Sequence, residues 1–253
     1  MFREIVRKRT IAAYEKRERK SALKLGKGWG TATIKDEVEN LGKLIEFSTT
    51  EVILDVGANK GLYAQTIAKV CQNAEIFLFE PASENVKHLS ELKTFGDNVT
   101  IIQCGLSDVE GEFPLYSDQP GSGLASLAKR DLDFKNIPFN YTESVKVIRF
   151  YDFWKTALNS RIIDICKLDI EGHELNALKG FSEAIYSTKV IQFEFGGCNL
   201  DTRIIFKDIW KFFEKHNFKL FRISPLGLIE ISKYSEDLEH YKTTNYIARN
   251  QNL

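Results

Sequence analysis

Three groups of residues in this chain have the types and spacing to do chemistry. Asp55-Val56-Gly57-Ala58-Asn59-Lys60-Gly61 follows the apolar run Val52-Ile53-Leu54 and leads into a helical stretch. Glycines in such a strand-to-helix turn let the backbone pass close to a ligand, because they lack a Cβ and tolerate positive φ. Glu80 ends a second apolar run 19 residues beyond Gly61. A carboxylate at that spacing is placed to accept hydrogen bonds from ribose hydroxyls. The third group, Asp169-Ile170-Glu171-Gly172-His173-Glu174, ends another apolar run and is the richest in ionisable groups. Gly172 permits a sharp turn there. His173 can take a proton near neutral pH, and Asp169 or Glu171 can do so or orient the imidazole. Glu174 needs no such role, since an acid at a helix N-terminus favours the helix dipole.

The first turn also excludes some ligands. A dinucleotide site calls for Gly-x-Gly-x-x-Gly, and here Asn59 stands where the second glycine would be. A P-loop needs Gly-Lys followed by Ser or Thr, and Lys60-Gly61-Leu62 does not supply it. Asp55 is a poor neighbour for phosphate oxygens. It suits a ligand with a cationic head, a ribose and no phosphate, of which S-adenosylmethionine (SAM) is one. These features argue against an NAD-dependent oxidoreductase on the same kind of sheet. Acids at every expected strand end argue against a degenerate, non-catalytic SAM-binding subunit.

To position these groups, the chain must place several strand ends along one edge. Apolar β-rich runs alternate with helical patterns, as in a parallel sheet covered on both faces. Strands are expected at about 51–56, 75–80, 99–106, 162–169 and 188–195, with helices at about 61–71, 83–95, 173–180 and 202–216. Two helices precede them, a basic one at the N-terminus and another at about 34–47. Short inserted strands are expected at 111–116 and 145–150, a short helix at 151–158, and final strands at 218–223, 228–231 and 245–249. Residues 117–142, rich in Gly, Ser, Asp and Pro, are longer than a connection needs. Gly121-Ser122-Gly123-Leu124 is expected to be mobile and to close over an acceptor. Lys129, Arg130 and Tyr141 are candidates to contact an anionic one, such as a sugar nucleotide.

At 253 residues the chain can bury a substantial core, and one large domain is the simplest count. Lys plus Arg equals Asp plus Glu, at 35 each, so global charge gives no argument for nucleic-acid binding. The charge is unevenly spread. Residues 1–25 hold nine basic and three acidic residues, a net +6 that leaves −6 for the remainder. This segment reads as a basic helix able to touch an anionic membrane surface or a partner subunit, including a second copy. No stretch reaches the roughly 18 apolar residues of a membrane span, and the basic N-terminus lacks the apolar core of a signal peptide. Four scattered cysteines without a Cys-x-x-Cys fit a reducing cytoplasm.

Taken together, Asp55-Val56-Gly57-Ala58-Asn59-Lys60-Gly61, Phe79-Glu80-Pro81, Leu106-Ser107-Asp108, Leu168 to Glu174, Leu178-Lys179-Gly180 and Asn245-Tyr246-Ile247-Ala248 resemble the FkbM family of SAM-dependent methyltransferases. The resemblance spans about residues 50–250, which divides the chain into a basic helical extension at 1–48 and a methyltransferase domain at 49–253. It implies an α/β, Rossmann-like, mostly parallel sheet of seven strands with an antiparallel last strand and helices on both faces. It also implies O-methylation, with S-adenosylhomocysteine (SAH) as product. The acceptor would be a hydroxyl of a sugar, a sugar nucleotide or a natural product, the sugars pointing to surface-polysaccharide or glycan biosynthesis. Position by position, it puts Asp55, Gly57, Asn59 and Gly61 around the methionine part, Glu80 on the ribose, and Leu106, Ser107 and Asp108 near the adenine. The turn from Asp169 to His173 lies beside the methyl group, and Asp169 counts among the cofactor-binding residues as well. Asp169, Glu171, His173 and Glu194 would form the donor set if the acceptor hydroxyl were activated by Mg²⁺ or Mn²⁺ instead of by a plain base.

Overall fold

The computed structural model describes residues 2–30 and 33–253. Two helices, α1 (Phe2–Lys24) and α2 (Ile34–Leu41), come first. Strand–helix units then follow: β1 (Val52–Val56), α3 (Leu62–Ile67), β2 (Glu75–Phe79), α4 (Ser83–Ser90) and β3 (Val99–Ile102). After β4 (Gly105–Leu106), β5 (Gly111–Ser117), β6 (Tyr141–Ile148) and α5 (Phe150–Thr156), the alternation resumes with β7 (Ile163–Leu168), α6 (Glu174–Phe181) and β8 (Thr188–Phe195). The chain ends with α7 (Cys198–Thr202), α8 (Phe206–Lys215), β9 (Phe218–Ser224), β10 (Gly227–Ile231) and β11 (Thr244–Asn250).

The main sheet has the order β10-β9-β11-β8-β7-β1-β2-β3. β3, β2, β1, β7 and β8 are parallel, and β11 runs antiparallel to both β8 and β9. The fold is therefore Rossmann-like with a reversed final strand, but it holds eight strands, one more than the seven expected. The extra strand is β10, which folds back on β9 as a hairpin. Its turn closes where Ser224 Oγ donates to the Gly227 carbonyl and accepts from the Leu226 N–H. The chain runs outward from β1 to β3, then crosses back to place β7 on the other side of β1. That reversal of strand order opens a crevice between the carboxyl ends of β1 and β7.

Alternating side chains bury both faces of the sheet. Ile53, Ile165, Val190 and Ile247 pack with Val38 and Leu41 of α2 and Tyr63, Ala64 and Ile67 of α3. Leu54, Cys166, Ile191 and Phe193 pack with Phe150, Leu178, Phe206 and Phe213 of α5, α6 and α8. Helix α2 is thus part of the core, although it precedes residue 48. Helix α1 differs sharply: every residue from Arg3 to Ser21 is exposed, including Ile5, Val6, Ile11 and Tyr14, so its apolar residues gather on no buried face. No helix among the described residues is long and apolar enough to cross a membrane.

Several boundaries differ from the sequence reading. The run expected as one strand over 99–106 breaks after Ile102, and β4 pairs with β6 in a separate three-stranded sheet, β4-β6-β5. The helix expected at 34–47 stops at Leu41, the one at 61–71 at Ile67 and the one at 83–95 at Ser90. The helix expected at 202–216 is divided, because Arg203 turns left-handed (φ 59°) before α8 begins. The long segment after β5 is tied back at its start: Tyr116 and Ser126 exchange backbone hydrogen bonds of 2.9 Å, which folds the segment over the carboxyl edge of the sheet.

Candidate active site

At the crevice lies a cleft, open to solvent at its mouth. Phe79, Leu106, Leu115, Ala125 and Leu127 give it apolar walls. Asn59, Glu80, Lys167, Asp169, Glu171 and His173 bring polar groups.

The turn after β1 is main chain laid against main chain. Gly57 and Ala58 donate their N–H groups to the Phe79 carbonyl at 2.9 and 3.2 Å. Gly57 has φ +81°, and a Cβ there would lie 2.0 Å from the Asp169 carbonyl oxygen, so no other residue fits. Asn59 is left-handed as well (φ 49°), and its N–H donates to Glu80 Oε2 at 2.7 Å. Glu80 Oε1 accepts from the Ala82 N–H at 2.9 Å. Burial raises the Glu80 carboxyl above its ordinary range, against the pull of those donors. Asn59 Oδ1 is buried and has no partner, leaving an acceptor for a ligand in the cleft wall.

Asp55 does not line the cleft. It is fully buried behind the turn, its carboxylate oxygens without hydrogen-bond partners and Oδ1 4.0 Å from Lys167 Nζ. Burial pushes its carboxyl up to about 6, with Lys167 opposing. Asp55, Lys167 and Gln192 occupy adjacent register positions on β1, β7 and β8 and make a polar row across the sheet. Above this row Glu37 of α2 accepts from Gln192 at 2.6 Å, Thr33 at 2.8 Å and Asn245 at 2.8 Å. Lys167 itself reaches the cleft wall, donates to Asp169 Oδ2 at 2.8 Å and stands over the Tyr63 ring at 5.0 Å. The sequence reading missed it. A lysine inside an apolar strand, opposite a buried aspartate in the neighbouring strand, was the available signal.

The turn after β7 carries side chains that are each held by a neighbour. Glu171 has φ 52° and Gly172 φ 97°. Arg130, itself buried, donates to Glu171 Oε2 and, at 3.3 Å, to Asp201. Arg130 is therefore a strut and not the acceptor contact expected of it; Lys129 is exposed and Tyr141 partly so, and neither lines the cleft. Burial pushes Glu171 up to about 7, with Arg130 opposing. Glu174 Oε1 caps the turn, accepting from the N–H groups of Ile170 and Gly172 at 3.1 and 3.2 Å. The Gly121–Leu124 stretch is packed beside the cofactor turn: Ser122 and Gly123 line the cleft, and Ser126 Oγ donates to the Glu171 carbonyl at 2.9 Å.

His173 faces the cleft with its Nε2 2.9 Å from Ser107 Oγ, and Ser107 donates to Asp108 Oδ1 at 3.0 Å. Of the three residues expected near the adenine, only Leu106 lines the cleft; Ser107 and Asp108 sit behind His173. Burial lowers the imidazole pKa, so the ring is neutral near pH 7, with Asp108 opposing the shift. Asp108 lies below the usual carboxylate range: partial burial would raise it, and hydrogen bonds from Ser107 and Asn176 outweigh that.

The suggested metal donors do not converge. Among the described residues no three His, Cys, Asp or Glu side chains are placed to hold a metal ion. Asp169 is taken by Lys167, Glu171 by Arg130 and His173 by Ser107. Glu194, at the end of β8, has its carboxyl raised well above the ordinary range by burial and by Asp169, Glu171 and Glu174.

A glycine cradle at the switch point of a doubly wound sheet, with an acid at the end of the next strand, defines a nucleotide-binding protein of the Rossmann-like class. Comparison with known proteins narrows this class. The Methyltransferase FkbM domain matches residues 55–220, and the chain belongs to the FkbM methyltransferase family. It is 30% identical over 156 residues to the methyltransferase sdnD of Sordaria araneosa, covering 52% of this chain and 60% of that protein. It is 24% identical over 155 residues to the 2-O-methyltransferase NoeI of Sinorhizobium fredii, covering 57% and 63%. With the hexuronic acid methyltransferase AglP of Haloferax volcanii it shares 25% identity over 166 residues, covering 64% of each. The chain thus spans somewhat under two thirds of the length of these curated relatives.

Proposed function

We propose that this chain transfers a methyl group from SAM to a hydroxyl oxygen of a carbohydrate, free or carried on a nucleotide. SAM brings a methyl group already activated by its sulfonium, so the protein's work is to hold the acceptor oxygen in line, exclude water and take a proton. The cradle of Gly57 to Gly61, the unpartnered Asn59 Oδ1 and the cleft-lining Glu80 suit an adenosine bearing an amino-acid tail.

The observation that carries the reading is the setting of His173. With the Ser107 hydroxyl donating to Asp108, Nε2 of His173 must bear the hydrogen and donate to Ser107. Nδ1 is then left as an acceptor, and it takes no partner among the described residues. A neutral imidazole in that tautomer receives the hydroxyl proton as the new C–O bond forms. Glu171, pushed up to about 7, stands on the same turn as a second group able to change charge near neutral pH. The relatives named a 2-O-methyltransferase and a hexuronic acid methyltransferase support a sugar hydroxyl as acceptor.

The test is methyl transfer from labelled SAM to a panel of sugars, uronic acids and sugar nucleotides, together with calorimetry of SAH binding. His173→Ala is expected to lower kcat by about 10²–10⁴-fold while SAH affinity stays within a few-fold. Absence of SAH binding would remove the cofactor reading. Binding without transfer to any acceptor would favour a non-catalytic SAM-binding subunit, and transfer only to non-carbohydrate hydroxyls would move the acceptor to natural products.

A further inference from the structure

We infer that Lys167 and Asp169 together grip the amino-acid end of the cofactor, Lys167 taking its carboxylate and Asp169 its ammonium. This rests on the SAM reading above. SAM and SAH share a zwitterionic tail, and a zwitterion is recognised by an ion pair of matching polarity. The cleft wall holds such a pair, 2.8 Å apart, beside the glycine turn: Gly57 lies directly against the Asp169 carbonyl.

Lys167 has the capacity for the carboxylate. An ammonium carries three donors, and only Asp169 lies within hydrogen-bond distance of its Nζ; Asp55, at 4.0 Å, does not. Its other two N–H groups take no hydrogen-bond acceptor among the described residues, although the ammonium also stands over the Tyr63 ring, so at least one remains for a ligand. Lys167 is also the one buried cation among the described residues that line the cleft: Lys60 is exposed, and His173 is neutral. A buried cation beside an enclosed anion makes a stronger contact than an exposed one, because water screens it less. Asp169 complements it, with its side chain 40% exposed toward the cleft. Asp55 supplies the second negative charge. Burial alone would drive the Lys167 ammonium down, and Asp169 and Asp55 outweigh it and keep Lys167 charged. Asp55, buried behind the turn, thus helps hold Lys167 charged beside the cleft.

Calorimetry on the full chain with three probes tests this: SAH, its decarboxylated analogue (which keeps the ammonium), and methylthioadenosine (which lacks the whole tail). Wild type is expected to bind SAH about 10- to 150-fold more tightly than decarboxylated SAH, the range for a hydrogen bond to a charged group. Lys167→Met should abolish that preference, weakening SAH while leaving decarboxylated SAH within about threefold. Asp169→Asn should weaken SAH and decarboxylated SAH alike and leave methylthioadenosine unchanged. Unchanged methylthioadenosine binding shows that each variant is folded. Should Lys167→Met not fold, the wild-type preference and Asp169→Asn still decide. Equal binding of SAH and decarboxylated SAH by wild type, or a preference that survives in Lys167→Met, would overturn the inference. Failure of wild type to bind methylthioadenosine or SAH at all would instead overturn the SAM reading on which it rests.

Discussion

The turn after β1 presents main chain to the cleft, whereas the turn after β7 presents side chains. In the first, the left-handed Gly57 and Asn59 are held by the backbone and carboxylate at the end of β2, and the left-handed Gly61 donates to the Ala58 carbonyl within the turn. In the second, the left-handed Glu171 precedes Gly172, and each functional side chain has a dedicated partner. A non-glycine residue held at positive φ costs roughly 1–3 kcal/mol and persists only where its surroundings over-determine it. Arg130, Ser126 and Glu174 are those surroundings for Glu171. Where main chain must pass close to main chain, the first turn uses the absence of a side chain. Where a side chain must be aimed, it uses supporting neighbours. Damage to the first turn should therefore act by steric overlap, and damage to the second through lost partners.

Gly57→Ala should have the largest effect. Positive φ alone costs an alanine more than about 1 kcal/mol, and the added Cβ meets the Asp169 carbonyl at 2.0 Å. The variant is expected to melt well below wild type and to lose at least tenfold in SAH affinity; thermal melts and calorimetry read both. Retained stability with wild-type binding would mean that the turn is not a steric cradle.

Breaking a strut of the second turn comes next. Arg130→Met leaves the buried Glu171 and the nearby Asp201 unpaired, a loss of about 3–5 kcal/mol. Adding Glu171→Gln should recover part of it. Denaturant titration of the single and double variants measures this, and a cost under about 1 kcal/mol for Arg130→Met would show that the pair supports nothing.

Asp55→Asn sharpens the contrast through pH. The folded carboxyl is raised from 3.8 to about 6, so its protonated form favours the fold. Wild type therefore loses this contribution as pH rises from about 4 through 6, and asparagine, which does not ionise, does not. The stability difference in favour of Asp55→Asn should widen toward pH 8 to about 3 kcal/mol, from roughly two pKa units at 1.36 kcal/mol each. Denaturant midpoints at pH 4 and pH 8 check it; a difference that stays flat contradicts the assignment.

The smallest expected effect is Ser107→Ala. It removes the partner that sets the His173 tautomer, not the proposed base itself. A fall in kcat of about two- to tenfold, equivalent to one net hydrogen bond, is expected with unchanged SAH affinity and near-complete rescue by Ser107→Thr. A loss as large as that of His173→Ala would make Ser107 part of the reacting machinery.

The strand–helix alternation, the glycine turn and the acid on the second strand were legible in the sequence because each rests on local signals. Apolar runs of strand length, Gly57 and Gly61 at the strand-to-helix turn, and Glu80 at a fixed spacing are set by neighbours in the chain. Asp169, Glu171 and His173 were legible for the same reason, as ionisable residues at a strand end. The partners that give those residues their character were not. Arg130 meets Glu171 across 41 positions, Ser107 meets His173 across 66, and Glu37 reaches Asn245 across 208. Periodicity carries no information about such pairs. Asp55 shows the limit most clearly: its type and place suited a ligand contact, yet strand pairing set it beside Lys167 and behind the turn, out of the cleft wall. Local sequence determined which residues stand at the edge of the sheet. Only the packing of distant segments decided which of them face the cleft, because side-chain direction, burial and charge state depend on what the rest of the chain lays against them.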